Sequence, residues 1–108
     1  MEYDLITVAE TEPFQRKVRR LLTETEKAEL LAYLAMHPNA GVIVQGAGGI
    51  RKLRWARSGM GKSGGVRVIY YFHSAKMPLY LLTIFGKMRN LISHWMKNMH
   101  LLRPSKSL

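Results

Sequence analysis

The chain has 108 residues, enough for one domain with a single core but too few for a second module. Apolar residues make up 47% of it, as in folded globular proteins, and the absence of cysteine excludes disulfides and thiolate metal sites. No apolar run reaches the roughly 18–20 residues that a membrane span needs, and residues 1–4 have no signal-peptide character. We therefore expect one folded domain, residues 1–108, in a reducing cytoplasm and with no membrane partner.

The charge of the chain is strongly one-sided. The formal net charge is +10, and all seven acidic residues lie at or before Glu29. From Leu30 onward there are twelve Lys and Arg residues and no Asp or Glu. A region with one sign of charge usually meets a polyanion, most often nucleic acid. An acidic partner protein, or a basic surface that serves only solubility, is the alternative.

The first third of the chain predicts a strand followed by two helices. Residues 3–8 are β-rich, and residues 14–22 carry apolar side chains at helical spacing. Thr23 and Glu26 have the spacing of a capping box, so a second helix should begin there and end before Pro38. We expect the two helices to form a hairpin that packs on a sheet.

The middle of the chain predicts three strands, at residues 50–56, 66–73 and 78–85. The first two are separated by a loop with four glycines, and the last two by a connection short enough for a hairpin. Consecutive strands with short links form an antiparallel meander. The predicted fold class is therefore α+β, an antiparallel sheet with an N-terminal helical hairpin packed on it.

Three cations on these strands form a candidate phosphate site. Lys52 and Arg54 are two positions apart, so they project from one face of their strand, and Arg67 reaches that face if the loop folds back as a hairpin. Such cations can stabilise the charge that builds on a phosphorane-like transition state when an internal 2′-hydroxyl attacks RNA. A lysine with a depressed pKa can also act as a base. The alternative is that these are solvated cations on an exposed sheet face.

Two other kinds of site are disfavoured. Residues 58–63 resemble part of a phosphate-binding P-loop, but Ala56 stands where the pattern needs glycine, and a strand follows where it needs a helix. The loop remains a basic segment that can approach a phosphate backbone. None of the four histidines has a catalytic partner, because Asp occurs only at position 4, and none has metal-ligand spacing. We expect no metal and no cofactor.

Four stretches of the chain resemble a known family. Residues 48–56 (GGIRKLRWA) and 61–71 (GKSGGVRVIYY) closely resemble the HigB branch of the RelE-type toxins, as do residues 26–34 and 81–87. The resemblance covers about residues 5–87. It implies a microbial-RNase-like fold and a metal-independent endoribonuclease that cleaves mRNA in the ribosomal A site, which inhibits translation and arrests growth. It also implies a cognate helix-turn-helix antitoxin as partner.

The resemblance assigns roles to particular cations. Four residues match basic positions of the family and are the candidate catalytic residues. They are Lys52 and Arg54 on the central strand, Arg67 on the following strand and Lys87 at the end of the last strand. The further cations expected to contact RNA are Arg51, Arg57 and Lys62. Two other functions remain open: a catalytically weakened homologue that only binds antitoxin, RNA or ribosome, and a plain nucleic-acid-binding protein without an antitoxin.

Residues 88–108 depart from the family pattern, which continues with Asn-Glu-Lys and an acidic-capped helix. The codons of Trp95, Met96 and Lys97, read from the third base of each, give Asp-Glu. With suitable synonymous codons, residues 87–100 become Lys-Asn-Glu-Lys-Ser-Asn-Leu-Ser-Leu-Asp-Glu-Lys-His-Ala, which contains the helix start that the family has. Our hypothesis is a frameshift after Lys87 that replaced the native tail. The alternative is a short, divergent C-terminal helix, since the apolar residues at positions 91, 95, 99 and 102 recur at helical spacing.

Overall fold

A computed structural model describes residues 5–56 and 65–86 of the chain. In chain order, its elements are β1 (Val8–Glu10), α1 (Glu12–Leu21), α2 (Glu24–Met36), β2 (Val42–Ile43), β3 (Ile50–Trp55), β4 (Val66–Tyr71) and β5 (Leu79–Phe85). The strands form one sheet in the order β1-β5-β4-β3-β2, so β4 lies at its centre. The predicted C-terminal helix and most of the predicted glycine loop lie outside the described residues.

Both predicted helices are present, and their local sequence explains where they begin. Pro13 lies in the first turn of α1, where its missing N–H leaves no bond unmade. The capping box at the start of α2 is confirmed: the Thr23 N–H donates to Glu26 Oε1 (2.8 Å), and the Glu26 N–H donates to Thr23 Oγ1 (3.1 Å). The helical hairpin therefore forms as the sequence indicates.

The central sheet is the predicted antiparallel meander, with two additions at its edges. β3 pairs with β4 and β4 with β5, both antiparallel, and a two-residue β2 extends the sheet beyond β3. At the other edge β1 runs parallel to β5, and it spans Val8–Glu10, so it shares only Val8 with the predicted strand at residues 3–8. Ile6 does not join the sheet, because its N–H donates to the Ala35 carbonyl at the end of α2 (3.0 Å).

The two faces of the sheet bury different sets of side chains. The helix-facing side forms the main core, whose members include Phe14, Leu30, Leu34, Val66, Val68, Tyr70, Leu79, Leu81 and Ile84. The other side holds a smaller buried cluster of Ala47, Ile50, Ile69 and Phe85. Because side chains alternate along a strand, the cations two positions apart on β3 all lie on this second side.

The link between β2 and β3 fixes the start of β3. Gly49 has φ +100°, in the region that favours glycine, and a Cβ at this position would lie 2.8 Å from Cε1 of Tyr71. Ile50 then pairs with Tyr71, which sets the register of the whole β3–β4 hairpin. A residue with a side chain at position 49 would push β3 away from β4.

Within the described ranges, no helix is both long and apolar enough to cross a membrane.

Candidate nucleic-acid interface

The side of the sheet that faces away from the main core carries the predicted cations. We call it the basic face and define it by Lys52 and Arg54 of β3, Arg67 and Ile69 of β4, and Thr83 and Phe85 of β5. The strand register arranges these residues in two rows across the sheet. One row is Arg54, Arg67 and Phe85, and the other is Lys52, Ile69 and Thr83. The structure thus brings together three of the four predicted catalytic residues.

Arg54 and Arg67 lie directly opposite each other on neighbouring strands. The Cβ atoms of such a cross-strand pair are about 4.5–5.5 Å apart, and like-charged residues directly opposite each other are unfavourable in a sheet. Lys52 and Arg54 are exposed, Arg67 is half-buried, and β3, β4 and β5 contain no acidic residue that could offset them. An anion bound between the two guanidinium groups would remove this repulsion.

The Arg67 guanidinium is incompletely satisfied. Its Nη1 atom is buried and has no hydrogen-bond partner among residues 5–56 and 65–86. Leaving a buried donor unpaired costs about 1–3 kcal/mol, and more when the group is charged. A phosphate oxygen is a suitable acceptor for such a donor, because guanidinium groups bind phosphate with short, charge-assisted hydrogen bonds. Arg67 is therefore placed to bind an anion rather than only to support the fold.

Arg51 is not brought to the basic face. It alternates with Lys52 and lies on the helix-facing side, where its Nη1 donates to the carbonyls of Gly41 (2.7 Å) and Asn39 (3.2 Å). Its guanidinium holds the loop between α2 and β2, so Arg51 has a structural role here, and its expected contact with RNA stays a prediction. The alternation of β3 already contained this information, since Arg51 is one position out of phase with Lys52 and Arg54.

Tyr70 completes the attachment of the same loop. Its hydroxyl accepts the Gly41 N–H (2.8 Å) and donates to the Pro38 carbonyl (2.8 Å). Burial raises the pKa of the Tyr70 phenol above its usual value, although the Gly41 hydrogen bond and the Arg51 charge oppose this in part. Tyr70 therefore stays neutral. Its buried hydroxyl connects the loop to β4 on the side of the sheet opposite the basic face.

Lys17 of α1 joins the basic face, which the sequence analysis missed. Its Nζ donates to Thr83 Oγ1 (3.3 Å) and lies 4.5 Å from the centroid of the Phe85 ring. Thr83 and Phe85 both belong to the basic face, and each is separated from Lys17 by 66 or more positions along the chain. The only sequence signal is that Lys17 flanks the apolar stripe of α1, which by itself does not say what the stripe packs against.

The remaining predicted site residues, Lys87, Arg57 and Lys62, lie outside the described residues, so their roles stay predictions. The two histidines within residues 5–56 and 65–86, His37 and His73, are both exposed. That same part of the chain contains no cluster of three His, Cys, Asp or Glu residues that could hold a metal ion. The chemistry available on the described basic face is therefore that of guanidinium and ammonium groups.

The fold is that of a RelE-type toxin. The chain is similar to the free-state structure of an E. coli toxin RelE mutant with two arginine-to-alanine substitutions: the TM-score is 0.62, and the match covers 92% of this chain and 99% of that one. The sequence identity is 15%, so this likeness confirms the fold class expected from the sequence and leaves the activity to be argued from the site. No protein-family model matches the chain.

Proposed function

We propose that this protein is the toxin of a type II toxin–antitoxin system, an endoribonuclease that cuts mRNA on the ribosome and so inhibits translation. The observation that carries the proposal is the Arg54–Arg67 pair, in which two cations lie on opposite positions of neighbouring strands and a buried Arg67 donor has no partner within the described part of the chain. A bound RNA phosphate would supply the missing acceptor and the missing negative charge. The RelE-like fold supports the same reading.

The proposed reaction uses the RNA's own nucleophile. The 2′-oxygen attacks the adjacent phosphorus while its proton leaves to a base, the bond to the 5′-oxygen breaks, and that oxygen takes up a proton. The products are a 2′,3′-cyclic phosphate and a 5′-hydroxyl. Lys52, Arg54 and Arg67 stabilise the charge on the pentacoordinate phosphate, and Lys87 remains a further candidate. No metal or cofactor enters this scheme.

The ribosome supplies what the basic face lacks. No carboxylate occurs on β3, β4 or β5, so these strands offer no acidic side chain that could act as a general base for the 2′-hydroxyl. Holding the message in the A site fixes the reacting atoms, and orientation of this kind is a large part of catalysis. We accordingly propose ribosome and mRNA as partners, a helix-turn-helix antitoxin as inhibitor, and the cytoplasm as the place of action.

Expression of the chain with and without single charge removals tests this function. The wild type should arrest growth and leave cuts at fixed codon positions, mapped by primer extension on a reporter message. Lys52→Ala and Arg67→Ala should each reduce cutting by about a hundredfold or more, as expected when a transition-state charge partner is lost.

Lys76→Ala is the matched control, because Lys76 is an exposed cation in the β4–β5 turn, at the end of the hairpin far from Arg67. It should cut like the wild type. A well-folded wild-type chain that neither arrests growth nor cuts any message would refute the proposal and favour a pure binding module.

The departure of the sequence after Lys87 favours one second candidate, a catalytically weakened toxin that still binds antitoxin, RNA or ribosome. We propose that a frameshift produced this tail. The gene sequence decides the point: codons that permit the reread Asn-Glu-Lys…Ser-Leu-Asp-Glu string support a frameshift, and codons that forbid it rule the frameshift out.

A further inference from the structure

A cavity of about 230 Å³ borders the basic face on the side of α1. Its lining is Lys17, Arg20, Leu21, Ile84, Phe85 and Gly86. Two cations from one turn of α1 thus stand beside a wall of apolar side chains and backbone from the end of β5. This combination differs from the rest of the basic face, where cations alternate with buried residues.

The cavity exists because α1 takes over the edge of β5 where β1 stops. β1 pairs only with Leu79–Leu81, and the next residue after β1, Thr11, donates its hydroxyl to the carbonyls of Leu81 (2.7 Å) and Leu82 (3.2 Å). α1 therefore begins beside the middle of β5 and runs along its remaining half. The spacing of Lys17 and Arg20, three positions apart, brings both to the same side of the helix.

Lys17 connects this cavity to the cation row of the sheet. Phe85, under the Lys17 ammonium, is the cross-strand neighbour of Arg67, which in turn faces Arg54. Neighbouring strands are about 4.8 Å apart, so Phe85 lies about one strand spacing from Arg67. The Lys17 ammonium is 4.5 Å from the centroid of the Phe85 ring. The order of these groups across the molecule is therefore Arg54, Arg67, Phe85 and Lys17. One further nucleotide of a bound strand can span the distance from Arg67 to Lys17.

We propose that this cavity binds the nucleotide next to the scissile phosphate of the RNA. Lys17 and Arg20 hold its phosphate, while its sugar and base lie against Phe85 and Ile84. An isolated inorganic anion would use the cations but not the apolar wall, whereas a nucleotide uses both. The placement beside the scissile phosphate rests on the function proposed above, whereas nucleotide binding itself does not.

Steady-state cleavage on ribosomes programmed with a defined message tests the proposal with the full chain. Lys17→Gln and Arg20→Gln should each raise KM about tenfold with kcat unchanged, because they remove a charged contact that is present in both ground state and transition state. Lys17→Arg should restore most of the affinity. Thermal denaturation of each variant checks that the α1–β5 contact survives.

Arg19→Gln is the matched control. Arg19 is an exposed cation of α1 that lies about 200° around the helix from Lys17, so its loss changes the net charge equally but leaves the cavity intact. A Lys17→Gln variant whose KM equals that of Arg19→Gln would overturn the proposal, even if its Tm fell, because Lys17 would then serve only to attach α1.

A second measurement separates this inference from the proposed function. Direct binding of a labelled, single-stranded 2′-O-methyl RNA to the free protein needs no cleavage, and Lys17→Gln should weaken it about tenfold while Arg19→Gln should not. Weakened binding by a chain that cuts no message would refute the proposed function and keep the nucleotide site. A wild-type chain that neither cuts nor binds RNA would refute both.

Discussion

At the scale of single residues, the basic face holds an unfavourable arrangement that a bound anion would relieve. Arg54 and Arg67 occupy opposite positions on two neighbouring strands, and one buried donor of Arg67 has no acceptor among the residues that the structure describes. Functional sites often keep such costs because the substrate removes them, so substitutions there can stabilise a protein while abolishing its activity.

Replacing Arg67 by methionine tests this reading. Arg67→Met keeps an unbranched apolar stem but removes the charge and the unpaired donor, so we expect the free energy of unfolding to rise by about 1 kcal/mol. Urea denaturation measures this, with Arg19→Met as the surface control. A fall in stability would contradict the account, because it would mean that the Arg67 guanidinium supports the fold.

The sequence alone predicted the position of those site residues whose orientation follows from alternation along a strand. Lys52 and Arg54 were placed on one face by their spacing, and Arg67 was expected there if β3 and β4 form a hairpin; the register confirms both placements. Lys17 could not be found in this way, since its contact with Thr83 depends on how α1 meets β5. Arg51 was expected to contact RNA, although its phase on β3 indicates the opposite face.

At the scale of secondary-structure elements, the loop between α2 and β2 depends on a small polar network under the sheet. Tyr70 and Arg51 together bind the backbone of Pro38, Asn39 and Gly41. A Cβ on Gly41 would lie 2.9 Å from both Cε1 and the hydroxyl oxygen of Tyr70, so the close approach needs glycine at this position. The network fixes β2 beside β3 and so supports the strand that carries Lys52 and Arg54.

Tyr70→Phe should destabilise the protein by about 1–3 kcal/mol at neutral pH, because the Gly41 N–H and the Pro38 carbonyl lose their partner. Burial raises the pKa of Tyr70, so the folded protein keeps the phenol proton at a pH where the unfolded chain, with a pKa of about 10, releases it. This contribution to stability is therefore complete below about pH 10 and is lost as the pH rises above it.

The stability difference between wild type and Tyr70→Phe should consequently narrow above about pH 10, since only the wild type carries this titration. Chemical denaturation of both proteins at pH values from about 7 to 11, which include the ordinary tyrosine pKa, measures this difference in the free energy of unfolding. A difference that widens or stays constant would show that burial does not hold Tyr70 neutral.

Local patterns predicted the longer elements, and tertiary contacts decided the short ones. The capping box located α2, and runs of β-branched and aromatic residues located β3, β4 and β5. β2 has only two residues, Val42 and Ile43, too few to show a period. β1 was predicted too early because its β-rich residues continue into a segment that is held by α2 instead.

At the scale of the whole molecule, the acidic residues are separated from the strands of the basic face. The acidic residues after position 4 belong to β1 and the two helices, where some are paired locally: Glu12 with Arg16 (3.4 Å) and Glu10 with Lys27 (2.9 Å). The strands of the basic face have no acids. This division gives an RNA strand one attractive side, and α1 adds Lys17 and Arg20 to it.

The fold alone does not determine the chemistry of that side, because a RelE-like scaffold can bind RNA without cutting it. The measurement that most directly tests the central claim is single-turnover cleavage on ribosomes whose message carries one 2′-deoxynucleotide at the mapped cut position. We predict rapid cutting of the all-ribose message, no cutting of the substituted one, and cutting of the all-ribose message by Arg67→Ala that is slower by about a hundredfold or more. Equal cutting of both messages would contradict the claim, because the attacking oxygen would then not be the RNA's own 2′-hydroxyl.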